Sequence, residues 1–214
     1  MKTVSITVAL ILAAIGTGCQ TTSERSRNLA DPSVSGKTLA QQVCSNCHGI
    51  DGNSVNPNFP KLAGQQKDYF IDEMKEFKSH DRYDPAGFEY MWGLSRSLTD
   101  KQVGELADYF AERKNVPDKS VDATREAEGK LIFNQGVPAK NIPPCMVCHG
   151  PEAAGNGGFP RLAGQHADYL MKQLLVFQRT DERAQGEVMK NIAHDLTPDN
   201  IRNVATFLST TSTK

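Results

Sequence analysis

The sequence repeats itself at an interval of about 100 residues, and this repeat constrains the fold more than any other feature of the chain. Cys44-Ser45-Asn46-Cys47-His48 returns as Cys145-Met146-Val147-Cys148-His149, and FPKLAGQ at 59–65 returns as FPRLAGQ at 159–165. Asp68-Tyr69 returns as Asp168-Tyr169, Phe77 as Phe177, and Leu98-Thr99 as Leu196-Thr197. The offset is 101 residues at the first pair and 98 at the last, as small loop insertions and deletions would make it. Two homologous units of roughly 85–95 residues follow. Each is small for a self-sufficient core, so a covalent cofactor would supply much of what the interior lacks.

Both units read as helical. Gly36 to Val43 predicts a short helix leading into the first cysteine pair. From Gln66 to Phe77, apolar residues at Phe70, Ile71, Met74 and Phe77 share one helical face. Thr99 and Gln102 form a capping-box pattern, and Val103, Leu106, Ala107 and Phe110 follow at i, i+3, i+4 and i+7. The counterpart starts at Thr197 with Pro198 in the first helical position, then Ile201, Val204, Ala205 and Leu208. Nothing reads as a sheet, so the fold class is all-α. The boundary between units falls near Asn115 to Asp122, with Pro117 expected to stop the helix before it. Unit two carries a Pro- and Gly-rich insertion from Asn134 to Pro144, read as a loop.

C-x-x-C-H has a direct mechanical reading. Two thiols three positions apart can each add to one vinyl group of a haem, and the adjacent histidine is then held under the iron. Zinc predicts sets of four ligands at short spacing, whereas these pairs lie about 100 residues apart. A thioredoxin-like redox pair needs a strand–helix–strand setting, which is missing. Two copies in two matching helical units predict two covalently bound haem c groups, attached at Cys44 and Cys47 and at Cys145 and Cys148.

The repeat also selects the axial ligands. His48 and His149 are the only histidines common to both units, since His166 aligns with Gln66, His194 with Arg96 and His80 with Thr180. Among methionines only Met91 and Met189 align, while Met74, Met171 and Met146 face Leu174, Ile71 and Ser45. The metal set is therefore read as His48 with Met91 and His149 with Met189. The alternatives are that both methionines merely fill the core, or that His194 binds the second iron. A thioether raises the reduction potential, and two filled axial sites leave no place for oxygen or peroxide. The Pro60 and Pro160 carbonyls are candidate acceptors for the second ring nitrogen of each histidine. Gln65, Tyr69, Gln165 and Tyr169 are candidates to hydrogen-bond haem propionates, or the tyrosines simply pack their helices.

The first 18 residues read as an export signal, with Lys2 before a largely apolar run from Val4 to Ile15. That run is short for a membrane span. Gly16-Thr17-Gly18-Cys19 is similar to a lipoprotein signal, although Gly16 stands where an apolar residue is usual. Cys19 would then be lipidated, tethering the protein to a membrane in the periplasm, with residues 19–35 as a flexible tether. Ordinary cleavage leaving a free thiol, or an uncleaved anchor, are the alternatives. A net charge of -1 predicts no nucleic-acid partner.

With these residues in view, the chain resembles the cytochrome c4 family of dihaem cytochromes over roughly residues 36–210. The resemblance rests on both haem motifs, each followed by Gly, on the two FP-(K/R)-LAGQ-x-x-DY stretches, and on Met-x6-Leu-Thr before each final helix. It implies two tandem class I cytochrome c domains, 36–117 and 118–214, related by pseudo-two-fold symmetry with propionates near the interface. It implies periplasmic electron transport in a respiratory chain, from a quinol-oxidising complex or dehydrogenase to a terminal oxidase or reductase, without catalysis by the chain itself. Two features depart from the family: Cys19, and an aromatic-rich stretch with Tyr83, Phe88, Tyr90 and Trp92 that unit two lacks. The competing readings are a dihaem enzyme with one open iron, such as a peroxidase or thiosulfate-oxidising cytochrome, and an electron-accepting subunit docked on a dehydrogenase.

Overall fold

The computed structural model describes residues 27–85, 87–120, 122–183 and 186–213. The export segment, Cys19 and the first part of the expected tether lie outside the described residues. In unit one, α1 runs through three continuous segments, Gly36–Leu39, a π turn Ala40–Cys44 and Ser45–His48. Next come α2 (Lys67–Ser79), α3 (Trp92–Ser95, entered through a π turn Gly87–Met91) and α4 (Asp100–Ala111). Unit two holds α5 (Ala123–Gln135), α6 (Met146–His149), α7 (Ala167–Arg179), α8 (Glu187–Ala193) and α9 (Pro198–Thr210). Among the described residues the only β pairings are isolated bridges, so the fold is all-α as expected.

α1 does not end at Val43 but carries on through the cysteine pair to His48. No breaker intervenes until Gly49, whose φ of 78° ends the helix, and Gly150 at φ 77° does the same after His149. The expected capping boxes form at Thr99 with Gln102 and at Thr197 with Asn200. Along α4 the spacing buries Val103, Leu106, Ala107 and Phe110, with Phe110 only 1% exposed. Each large apolar side chain buried this way contributes about 1.5–3 kcal/mol. They pack on Leu39 and Ala40 of α1 and on Phe70, Met74 and Phe77 of α2. Unit two has a matching core of Ile132, Phe133, Leu170, Val204 and Leu208, joined by Phe177, Leu196 and Ile201 nearby.

The first and last helices of each unit cross at a glycine. A Cβ on Gly36 would meet Glu105 Cβ at 2.5 Å, and one on Gly129 would meet the Asn203 carbonyl oxygen at 2.0 Å. Only a residue without a side chain lets α1 approach α4, and α5 approach α9, this closely.

Three local expectations change. α4 ends at Ala111, before Pro117 is reached, because the chain then extends to bond the second unit: Asn115 Nδ2 donates to Ala163 O (3.0 Å) and Asp118 N to Ser209 O (2.9 Å). The insertion before Cys145 begins inside α5 and then closes on itself through a Val137–Ile142 bridge around a short turn, Pro138–Lys140. The last residues of the expected tether are packed: Val34 is buried, and Gln102 Nε2 donates to Asp31 O (3.0 Å) and Val34 O (2.9 Å).

Candidate functional site

Each cysteine pair sits where a short helix meets its terminal glycine, and this geometry delivers the histidine to the interior. His48 and His149 are both buried. His48 Nδ1 lies 2.8 Å from Pro60 O, and His149 Nδ1 lies 3.0 Å from Pro160 O. A carbonyl only accepts, so Nδ1 carries the proton and Nε2 is the free nitrogen. Burial pushes both imidazoles below the ordinary histidine range, outweighing the proline hydrogen bonds, so both are neutral at neutral pH. Phe59 and Phe159 stand edge-on to these rings, each with centroids 6.2 Å away. Burial pushes the Cys44 and Cys145 thiols up to about 11, which keeps both sulfurs protonated.

Met91 closes the π turn before α3, and Met189 lies in α8. Both are half-buried and line the same apolar cavity as the two histidines and Cys44, Cys47, Cys145 and Cys148. Met74 also lines it but belongs to the packed core of unit one, while Met171 and Met146 do not line it. His80, His166 and His194 are likewise outside its lining. His80, itself exposed, lies against Phe88 and Trp92, with centroids 5.5 and 5.1 Å away, and Phe88, Tyr90 and Tyr83 are exposed as well. Tyr90 meets Phe59 edge-on at 5.9 Å, whereas unit two has Val188 at the corresponding place.

The cavity, about 430 Å³, is continuous from one cysteine pair to the other and passes the junction of the units. The two FP-(K/R)-LAGQ segments face each other there and exchange hydrogen bonds reciprocally. Gln165 Oε1 accepts from Lys61 N (2.8 Å) and its Nε2 donates to Lys61 O (3.0 Å). Gln65 Oε1 accepts from Arg161 N (2.7 Å) and its Nε2 donates to Arg161 O (3.2 Å). Both glutamines, expected to serve propionates, are thus engaged across the junction. Their amides bond the backbone of the other unit in both directions. Gln66 Nε2 on Ala154 O and His166 Nε2 on Ser54 Oγ, both at 2.8 Å, repeat the same symmetry.

A buried ionic cluster, unforeseen from the sequence, closes the junction on another side. Arg82 bonds Glu73 and Asp84, while Arg183 bonds Glu73 and Tyr69. Gln173 bridges Arg183 Nη1 (2.8 Å) to Asp84 Oδ2 (3.3 Å). Arg82 and Arg183 also pair as an antiparallel bridge and lie over Phe77 and Phe177, at 4.5 and 4.7 Å. The signal was present as an arginine repeated at an offset of 101, but nothing local marked it as internal. Tyr69, half-buried beside this cluster, has its hydroxyl pushed up by desolvation and by Glu73.

The residues present fit haem c. Each half of the cavity offers a cysteine pair, a neutral imidazole with Nε2 free, apolar walls and a methionine, and a buried guanidinium nitrogen of Arg161 has no protein partner. The chemistry of this donor set is covalent attachment plus axial coordination of iron, once per unit.

Comparison with known proteins agrees. The family model for cytochrome c matches residues 33–114 and again 126–212. Cytochrome c4 of Pseudomonas aeruginosa is 38% identical over 170 residues, covering 78% of this chain and 82% of that protein. The crystal structure of reduced recombinant cytochrome c4 from Pseudomonas stutzeri superposes with a TM-score of 0.75 at 32% identity, covering 82% of this chain and 96% of that one. A thiosulfate dehydrogenase electron acceptor of Stutzerimonas stutzeri is 31% identical over 185 residues, covering 84% of this chain and 83% of that protein.

Proposed function

Because the chain belongs to the cytochrome c4 family of dihaem electron-transfer proteins, we propose that it carries single electrons in the periplasm from a quinol-oxidising complex or dehydrogenase to a terminal oxidase or reductase. The observation that carries this reading is the continuous cavity, which joins two equivalent seats through a junction locked by reciprocal hydrogen bonds. When bound, each haem c supplies a one-electron iron couple. The Pro60 and Pro160 carbonyls fix the imidazoles so that Nε2 is the nitrogen that would hold an iron. Met91 and Met189, which line the same cavity, would each hold an iron through a thioether, and this would favour the ferrous state and leave no open site for small molecules. The apolar walls exclude water, so little reorganises when the charge changes by one.

Redox-titrated absorbance of the holoprotein tests this. Two low-spin haems per chain and no rapid carbon monoxide binding to either ferrous haem are expected. Rapid binding at one haem would overturn the carrier reading in favour of an enzyme with an open site.

The apolar run from Val4 to Ile15 and the small residues before Cys19 support export and lipidation at that cysteine. Cys19→Ala is then expected to move the protein from the membrane to the soluble periplasmic fraction, and unchanged membrane association would count against the lipid. The likeness to a thiosulfate dehydrogenase electron acceptor favours a second reading, in which the donor is a dehydrogenase docked on this chain. Co-purification of a dehydrogenase from membranes would select it.

A further inference from the structure

The carbonyl of Pro60 and the N–H of Lys61 belong to one peptide group, and the two ends of that group serve different units. Its oxygen accepts from His48 Nδ1 at 2.8 Å, inside unit one. Its N–H donates to Gln165 Oε1 of unit two, also at 2.8 Å. The repeat does the same in reverse. The Pro160 oxygen accepts from His149 Nδ1 at 3.0 Å, and the Arg161 N–H of that same peptide group donates to Gln65 Oε1 at 2.7 Å. Each histidine is thus linked, through a single peptide group, to a buried glutamine of the other unit.

Both glutamine side chains are held in one orientation. Gln165 Oε1 also accepts from His166 N (3.1 Å), and Gln65 Oε1 from Gln66 N (2.9 Å). Each Nε2 donates to the next carbonyl along, Lys61 O or Arg161 O. Two N–H donors at the oxygen and a carbonyl at the nitrogen admit no flipped amide. The backbone beneath them is anchored in its own unit. Gly64 and Gly164, both at φ 66°, turn the chain just before each glutamine, and their N–H groups donate to Phe110 O (2.9 Å) in α4 and Leu208 O (2.7 Å) in α9.

A hydrogen bond at the N–H end of a peptide group polarises it, so the bonds at its two ends strengthen each other. A stronger acceptor at histidine Nδ1 makes Nε2 a more basic ligand, and a more basic ligand favours ferric iron. We propose that Gln165 positions and tunes His48 while Gln65 positions and tunes His149, so that each unit sets part of the reduction potential of the other unit's haem through the shared peptide group. Neither glutamine is a ligand; both are positioning residues that act through a histidine.

The proposal rests on the two haem seats and fails separately from them: fewer than two haems per wild-type chain would strike the seats themselves. Gln165→Met and Gln65→Met remove the amide acceptor at nearly constant volume. In the reduced, diamagnetic holoprotein, Gln165→Met is expected to move the Nδ1–H proton resonance of His48 upfield and to leave that of His149 in place, and Gln65→Met to do the converse. Redox titration followed at each haem by NMR should show the same crossing. Gln165→Met should favour reduction of the haem at Cys44 and Cys47 by about twofold, and Gln65→Met that of the haem at Cys145 and Cys148. Gln165→Glu keeps the acceptor and gives up only the donor to Lys61 O, so the His48 resonance should stay at the wild-type position or move downfield. Glutamines that only pack the junction would disturb their own unit at least as much as the other. Shifts confined to the variant's own unit, equal shifts in both units, or unchanged resonances would each overturn the proposal. A crystal structure of the wild-type holoprotein gives an answer that needs no variant: each glutamine Oε1 should stay within hydrogen-bond reach of the Lys61 or Arg161 N–H, and a wider separation would break the link.

Discussion

His48 and His149 each commit one ring nitrogen to a proline carbonyl, and that leaves Nε2 as the only nitrogen able to reach a metal. A second ligand to each iron would then be decisive for the potential. Met91 and Met189 sit on the cavity wall at corresponding places, while Met74 is consumed by the core. Met91→Ala and Met189→Ala are each expected to abolish the iron–thioether charge-transfer absorbance of one haem and to lower its potential. If both variants keep the wild-type spectrum, neither methionine is a ligand. The placing of both methionines on the cavity wall was legible because the repeat removes every methionine that lacks a counterpart. The fate of Gln65 and Gln165 was not, since an amide reads equally well as a partner for a propionate or for a backbone.

At the scale of helices, the two units are held by close crossings as much as by apolar faces. Gly129 lies inside α5 where a Cβ would meet the Asn203 carbonyl carbon and oxygen at 2.6 and 2.0 Å. Gly104 lies inside α4 with nothing within 4 Å of its would-be Cβ. Alanine has better helix propensity than glycine by about 1 kcal/mol, so Gly104→Ala should raise the melting temperature of the holoprotein. Gly129→Ala gains the same propensity but forces two helix backbones apart, which costs roughly 1–3 kcal/mol or more, so it should lower the melting temperature. Equal effects of the two substitutions would show that the crossing is not tight. Capping boxes and apolar spacing were readable because each depends on residues within a turn or two of one another. The end of α4 was not, because its stop depends on carbonyls of the other unit and not on Pro117.

For the molecule as a whole, the junction contains a buried ionic cluster whose two carboxylates, Glu73 and Asp84, both come from unit one. Burial alone would raise the Glu73 carboxyl, but Arg183 and Arg82 more than offset this and hold it below its ordinary 4.5. A carboxylate depressed in the folded state stabilises that state fully above its unfolded value, and the contribution is lost as pH falls through the folded value. The melting temperature should therefore drop as the solution is acidified below about pH 4.5. Glu73→Gln leaves two buried arginines short of an anion, so it should destabilise the protein at neutral pH by roughly 3–5 kcal/mol and flatten part of the acid dependence. Thermal melts of both proteins across the acid range measure this. A variant with the wild-type profile would remove Glu73 as its source.

The amino-acid sequence by itself determined the two helical units, the two covalent haem sites and the buried histidine beside each. These depend on spacings of a few residues, and the repeat checks each one against a second copy. Only the tertiary structure decided how the units meet. The residues that bond across the junction lie about 100 positions apart, and their partners are mostly backbone N–H and C=O groups, which carry no sequence signature. Whether a buried cation finds an anion is decided the same way: Lys61 meets Asp118 because the linker passes beside it, and Arg161, at the equivalent place, meets only carbonyls.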